Sequence, residues 1–267
     1  MEDKGTGLVM LRRWLPPFRP STLISVITTL QFLLYWIGAF WAHAFAPNTC
    51  SLHLLRGIFA PDIALRLQLD RVVFPVLLHS SLVPMLFTTI MQLRIGNELQ
   101  DYYGKSRFYL LFCLSGFLGS AAAAVYDTYA VMGGASSALF GLLGSQGAIL
   151  AVSKAPNSQF LEQLSFYFAS VFVPFCLTSM WPHSTIAGHL VGLISGFLLG
   201  IGLQKERKCN FPVRILAWLL WGALVYFLYF EMWTIIDFLD CEFSPYTDRS
   251  GAVHYSGMEC ERLCQDY

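Results

Sequence analysis

Ser136 and His189 are the two side chains whose pairing would supply a nucleophile and a base. A serine hydroxyl attacks a carbonyl only when a neighbouring group takes its proton. An imidazole does this at neutral pH and can later return the proton to a leaving amine. Ser136 lies in Gly133-Gly134-Ala135-Ser136-Ser137-Ala138-Leu139-Phe140-Gly141. The glycine pair permits a tight, buried approach of the backbone before a helix begins, so a helix is predicted to open next to Ser136. Amide N–H groups at that end lack intrahelical partners and the dipole favours negative charge, which suits a developing oxyanion. Phe140 follows Ser136 by four residues and shares its side of the helix, where it would support an imidazole ring from below. The competing reading is plain packing, because Ser, Gly and Ala are favoured where membrane helices touch.

His189 opens a second run, in which Gly188, Gly192, Gly196 and Gly200 recur every four residues. That spacing makes one smooth helix face. Ser137, Gly141, Gly144 and Ser145 form a matching small face on the helix of Ser136. If the two faces pack, Ser136 and His189 meet near adjacent helix ends. His79 lies eight residues past Arg71, and His189 lies six past His183. On helical rise both would sit roughly 9–12 Å below the outer surface. Ionisable groups at such depth are costly and mark candidate functional sites, although a lone membrane histidine also serves as an interhelical hydrogen bond.

The elements that must hold these residues are apolar helices. The chain has 267 residues, 55% of them hydrophobic and only 13% charged, with zero formal net charge. Soluble domains carry roughly 25% charged residues, and nucleic-acid binding would need a basic excess. With 22 Phe, 12 Tyr and 7 Trp, disorder is excluded. No Asp, Glu, Lys or Arg lies between Arg19 and Arg56, Arg71 and Arg94, Arg107 and Asp127, Asp127 and Lys154, Glu162 and Lys205, or Arg214 and Glu231. A crossing helix needs about 20 mainly apolar residues, and the Glu162–Lys205 gap holds two. Seven spans are therefore predicted, at 21–43, 72–93, 107–126, 136–153, 161–181, 184–203 and 213–235. Long continuous runs exclude an antiparallel β-barrel. His43 and Glu231 fall near span ends and read as interfacial.

Lys and Arg bias sets orientation. With a cytosolic N-terminus, Lys4, Arg12, Arg13, Arg19, Arg94, Lys105, Arg107, Lys154, Lys205, Arg207, Lys208 and Arg214 are inside, whereas Arg56, Arg66, Arg71, Arg249 and Arg262 are outside. The predicted organisation is a cytosolic segment at 1–20, a polytopic membrane domain at 21–235, and a lumenal or extracellular cysteine-containing tail at 236–267. Cys50, Cys241, Cys260 and Cys264 then face the oxidising side and predict two disulfides, one tying the tail to Cys50. Free thiols or a zinc site with His254 are the alternatives. Glu2 and Asp3 before a Pro-rich stretch argue against a signal or transit peptide.

Taken together, these residues resemble the rhomboid intramembrane serine proteases. Gly134-Ala135-Ser136-Ser137 resembles the family's Gly-x-Ser-Gly, and Gly188-His189-Leu190-Val191-Gly192 with Gly196 resembles its Ala/Gly-His-x-x-Gly-x-x-x-Gly. Arg71 with His79 eight residues on resembles the Trp-Arg stretch before the second span, and Gly96-Asn97-Glu98-Leu99 the loop after it. The resemblance covers residues 21–235 and implies an all-α membrane protein, a six-helix core plus one C-terminal helix, as in the eukaryotic secretory-pathway branch. It implies Ser136 as nucleophile and His189 as base, with no Asp. It gives His79, Thr88 and Phe140 supporting or oxyanion roles, and Arg71, Gly134, Gly188, Gly192 and Gly196 structural ones. Phe166, Tyr167, Phe168, Phe172 and Phe175 would flank the substrate entrance, or equally face lipid.

The departures are specific. The family's oxyanion histidine and asparagine positions read Pro84 and Thr88, so one donor is lost outright and the other becomes a hydroxyl; Pro84 would also kink the second span. Ser137 replaces a glycine and would narrow the approach beside the nucleophile. Asp70 replaces the Trp before Arg71, and Gln100 replaces an acidic residue. Two functions follow. One is a serine protease of single-pass transmembrane substrates, released from the bilayer toward the outer side; the other is a non-catalytic relative that binds transmembrane clients for trafficking or degradation. Persistence of Ser136 favours the first. A transporter is disfavoured, because the deep ionisable groups cluster near one surface. No cofactor or metal motif is present, and the oligomeric state is left open.

Overall fold

The computed structural model describes residue 19 and residues 22–153, 157–181, 184–204, 209–242, 245–247 and 253–255, with no side chains described for 157–159 or beyond 235. Within these residues the chain is an all-α, multi-pass membrane bundle. Helix α1 spans Leu23–Trp41. A long connection follows, with short helices α2 (Thr49–Leu54), α3 (Ala60–Leu65) and α4 (Asp70–Val73) and a 3-10 turn at Phe74–Leu77. The bundle continues with α5 (Leu82–Tyr103), α6 (Lys105–Tyr126), α7 (Ala135–Ala151), α8 (Asn157–Ser179), α9 (Ile186–Gly202) and α10 (Phe211–Glu242). Outside the bundle, Pro245–Thr247 pairs antiparallel with Val253–Tyr255.

Helix α7 is the core. Apolar and small residues surround it, and Ala135, Ala138, Leu139, Phe140, Leu142 and Leu143 are all fully buried. A helix apolar on every side must be enclosed by others, and α5, α6, α8 and α9 enclose it. By contrast α8 and α10 present Phe168, Phe172, Tyr226, Tyr229 and Phe230 outward, as lipid-facing helices do. Helices α5 and α6 are joined by Gly104 alone, whose φ of 83° turns the chain where a side chain would be strained.

Six of the seven predicted spans lie within a few residues of their helices. The second does not: 72–93 is not one span. Residues Asp70–Leu77 are bent by 81° from Leu82–Tyr103, and the crossing helix starts at Leu82. Pro75 opens the 3-10 turn, and Leu78 is extended. The carbonyls of Pro75 and Leu78 are turned toward α7, accepting from the Gly134 N–H (2.8 Å) and Ala135 N–H (3.3 Å). Apolarity alone could not reveal this diversion, because the strap is as apolar as the helix. Two consequences reverse expectations. Pro84 lies in the first turn of α5, where an unused N–H costs nothing and no kink arises. Gly96-Asn97-Glu98-Leu99 is not a loop but mid-helix in α5, with Gly96 set against Ile24.

The long connection is held by a buried ion-pair network. Arg71 Nη2 lies 2.8 Å from Asp62 Oδ2. Arg71 also donates to the carbonyls of His53 (3.0 Å) and Gly57 (3.1 Å), and His53 Nε2 is 2.8 Å from Asp62. Ile58 and Met132 exchange backbone bonds of 2.8 and 3.0 Å, joining this connection to the segment that leads into α7. Burial pushes the Asp62 carboxyl up, but the hydrogen bond from His53 and the charges of Arg71, His53 and Arg66 outweigh it and hold it below the ordinary value. Cys50 is disulfide-bonded, whereas Cys113, Cys176 and Cys209 are free. The side chains of Cys241, Cys260 and Cys264, the other cysteines of the predicted disulfides, lie outside the described residues.

Asp62→Asn should destabilise the protein by about 3–5 kcal/mol, because it leaves Arg71 buried without its counter-ion. A depressed carboxylate stabilises the fold above its unfolded pKa, and that contribution is lost as pH falls through the folded value. Melting of the wild type in detergent should fall on acidification below the ordinary carboxylate range, and Asp62→Asn should lack that limb. A variant melting like wild type at neutral pH contradicts the network's role.

Candidate active site

Ser136 is the second residue of α7, so its N–H has no intrahelical acceptor. His189 is the fourth residue of α9, whose N-cap Thr185 accepts from the Gly188 N–H at 3.2 Å. The two side chains meet: Ser136 Oγ lies 2.8 Å from His189 Nε2. In one tautomer the serine O–H donates and Nε2 accepts. That assignment leaves the proton on Nδ1, which donates to Ser179 Oγ at 3.1 Å. The imidazole is fully buried. Phe140 stacks on it, with centroids 4.6 Å apart and planes 24° apart, and Phe175 meets it edge-on at 6.2 Å.

The meeting depends on two backbones almost touching. A Cβ on Gly192 would collide with the Ser137 carbonyl, and one on Gly196 with the Gly141 carbonyl. One on Gly200 would lie 2.9 Å from Ser145 Cα. The two small-residue faces read from the sequence are thus packed against each other. Gly188 faces Ser137 Oγ, and Gly119 of α6 also reaches Ser137. Ser137 is fully buried in that three-helix contact. It therefore fills a helix junction and does not narrow the approach beside Ser136.

A small cavity of about 20 Å³ borders Ser136, walled by His79, Pro84, Gly133, Trp181 and Ser184 among others. A water needs about 10–15 Å³ on this measure, so it accepts one heavy atom. His79 enters it from the extended strap, not from a helix, so the depth argument from helical rise does not apply although the residue reaches the site. Gly133 makes this possible, because a Cβ there would lie 2.6 Å from the Leu78 carbonyl oxygen. His79 Nε2 and Ser184 Oγ are buried and unpartnered. Thr88 is fully buried with an unpartnered Oγ1 but does not line this cavity. Arg71 stands in the ion-pair network, away from Ser136. Of the aromatic run on α8, Phe175 touches His189, Phe166 lies under Arg94 at 4.7 Å, Tyr167 lies against Gly147, and Phe168 and Phe172 face outward.

Ser179 and Ser184 are absent from the sequence-derived set. Nothing in the spacing from Ser179 to His189 marks it, because the reversal between α8 and α9 brings them together. Ser184-Thr185 did carry a signal, since a hydroxyl residue before an apolar run marks a helix start.

Apolar helices, a 2.8 Å serine–imidazole contact and a glycine-lined helix junction are brought together in one membrane bundle. Residues 66–206 match the Rhomboid domain; the chain belongs to the rhomboid family. It is 28% identical over 207 residues to Rhomboid-like protease 3 of Toxoplasma gondii, covering 76% of this chain and 78% of that one. It is 32% identical over 165 residues to Rhomboid protease GluP of Bacillus subtilis, covering 61% of this chain and 32% of that one. It is also 29% identical over 248 residues to Inactive rhomboid protein 2 of Homo sapiens, covering 84% of this chain and 28% of that one.

Gly196→Val should push α7 and α9 apart, costing at least the usual 1–3 kcal/mol of overpacking, roughly. A Cβ on Gly222 would meet nothing within 4 Å, so Gly222→Ala should melt at or above the wild-type temperature. Equal melting temperatures for Gly196→Val and wild type in detergent would refute the close approach.

Proposed function

We propose that this chain is an active serine protease that cuts transmembrane segments of single-pass membrane proteins. The observation that carries it is the 2.8 Å Ser136–His189 contact. Ser136 Oγ attacks the scissile carbonyl carbon, its proton passes to His189 Nε2, and the carbonyl π pair moves to oxygen. The tetrahedral species collapses, the C–N bond breaks, and His189 returns the proton to the amine. Water then attacks the acyl carbon and gives a proton to His189; the C–Oγ bond breaks, the acid leaves, and His189 returns that proton to Ser136 Oγ. The Ser136 N–H at the start of α7 supports the oxyanion.

Ser179 replaces the carboxylate of a triad. Its Oγ accepts from His189 Nδ1, fixing the tautomer and ring plane, and the aromatic contacts of Phe140 and Phe175 limit rotation. Helix α7 has 17 residues, about 25 Å at helical rise, against a hydrocarbon thickness of about 30 Å. Ser136 thus sits below the outer surface when the other end of α7 meets the cytosolic one. The charge bias supports a cytosolic N-terminus and a tail on the far side, tied to the long connection through Cys50.

A second reading is a non-catalytic binder of transmembrane clients. It is favoured by Pro84, which walls the Ser136 cavity without a donor, and by the similarity to an inactive relative. A fluorophosphonate probe on the purified full chain separates the two. Labelling of the wild type that disappears in Ser136→Ala and His189→Ala supports the protease; absence of labelling, with transmembrane clients co-purifying, supports the binder. Ser179→Ala should lower kcat by about 3–10-fold, the worth of one neutral hydrogen bond, with KM unchanged. Ser179→Thr should restore it; an unaltered kcat in Ser179→Ala would remove the orienting role.

A further inference from the structure

We propose that Ser184 and His79 are the side-chain donors that hold the oxyanion in this protein, taking over from the α5 positions occupied by Pro84 and Thr88. The inference rests on the Ser136–His189 reading above. Buried polar atoms are nearly always paired, and an orphan calls for an explanation. Two such orphans, His79 Nε2 and Ser184 Oγ, belong to residues that wall one cavity with Ser136. At about 20 Å³ that cavity has room for a single heavy atom.

The other walls argue for the same atom. Leu78, Pro84, Gly133 and Trp181 contribute no side-chain acceptor, so a negative oxygen entering here meets donors in a dry setting where they act most strongly. Thr178 Oγ1 is committed to the Pro174 carbonyl at 2.7 Å, and Ser80 already has a partner. Thr88 lies on α5 outside the cavity. What remains is a hydroxyl from the turn before α9, an imidazole N–H from the strap, and the Ser136 amide.

The backbone beside both side chains is tied down before substrate arrives. His79 is 4% exposed, and its strap is bonded to α7 through the Ala135 N–H and the Leu78 carbonyl at 3.3 Å. Ser184 immediately precedes Thr185, which caps α9 through the Gly188 N–H. With the proton on Nε2, His79 acts as a neutral donor. Donors fixed in advance need no reorganisation as charge develops.

The test measures the rate of fluorophosphonate labelling, whose phosphoryl oxygen occupies the oxyanion position, and kcat and KM for a transmembrane substrate. The full chain is used in detergent. Ser184→Ala should slow labelling and kcat by about 10²-fold, the lower end for one donor, with KM and melting temperature unchanged. Ser184→Thr keeps a hydroxyl and should recover most of the rate. His79→Ala should lose a similar factor; where it fails to fold, His79→Gln keeps a side-chain N–H and should retain more activity than His79→Leu. A wild type that labels and a Ser184→Ala variant that labels equally fast overturn this assignment alone. A wild type that never labels overturns the protease reading and this assignment with it.

Discussion

The carbonyl oxygens of Ser137 and Gly141 occupy the space that side chains at Gly192 and Gly196 would need. In a bilayer, helices gain nothing by hiding apolar surface from one another, since lipid is equally apolar, so close backbone packing must drive their association. Here that packing also sets the contact between Ser136 and His189. With α7 and α9 this close, Ser136 Oγ and His189 Nε2 fall 2.8 Å apart. A wider crossing would part Ser136 from His189 and leave the Ser136 hydroxyl without this partner in an apolar bundle.

The site's remaining parts come from elements that pack on this pair. The Arg71–Asp62–His53 network folds the long connection, and the Ile58–Met132 bonds hand its position on to Gly133. The strap from Pro75 to Leu78 then lays its carbonyls against the first amides of α7. His79 is carried to Ser136 by this chain of contacts. A buried ion pair adds little stability in itself, but it specifies one loop path among many. The site therefore depends on a charged cluster well removed from its chemistry.

Pro84 illustrates how one residue changes meaning with context. Read along an apolar run, it sits mid-span, where proline would break a helix. In the fold it lies in the first turn of α5 and walls the cavity beside Ser136. Its ring brings no hydrogen-bond donor to that wall. His79 and Ser184, each with an unpaired side-chain atom, wall the same cavity.

Much was legible in the amino-acid order because its signals are local. Gaps between charges mark apolar helices, since a charge in lipid is costly; a four-residue glycine period marks a face; glycines before Ser136 mark a helix start. Those patterns were enough to bring Ser136, His189 and Phe140 to one site in principle. Three matters belonged to tertiary structure. The strap at Phe74–Ser81 is as apolar as a span, and only its hydrogen bonds to Gly134 and Ala135 make it turn aside. Ser137 reads as a residue beside the nucleophile, yet helix phase sends it into the junction with Gly119 and Gly188. Ser179 and Ser184 are ordinary hydroxyls in sequence, and they acquire an imidazole or a cavity only when α8 reverses into α9. Short-range order writes helices and their faces; which polar atom meets which depends on contacts between distant segments, and no local pattern encodes those.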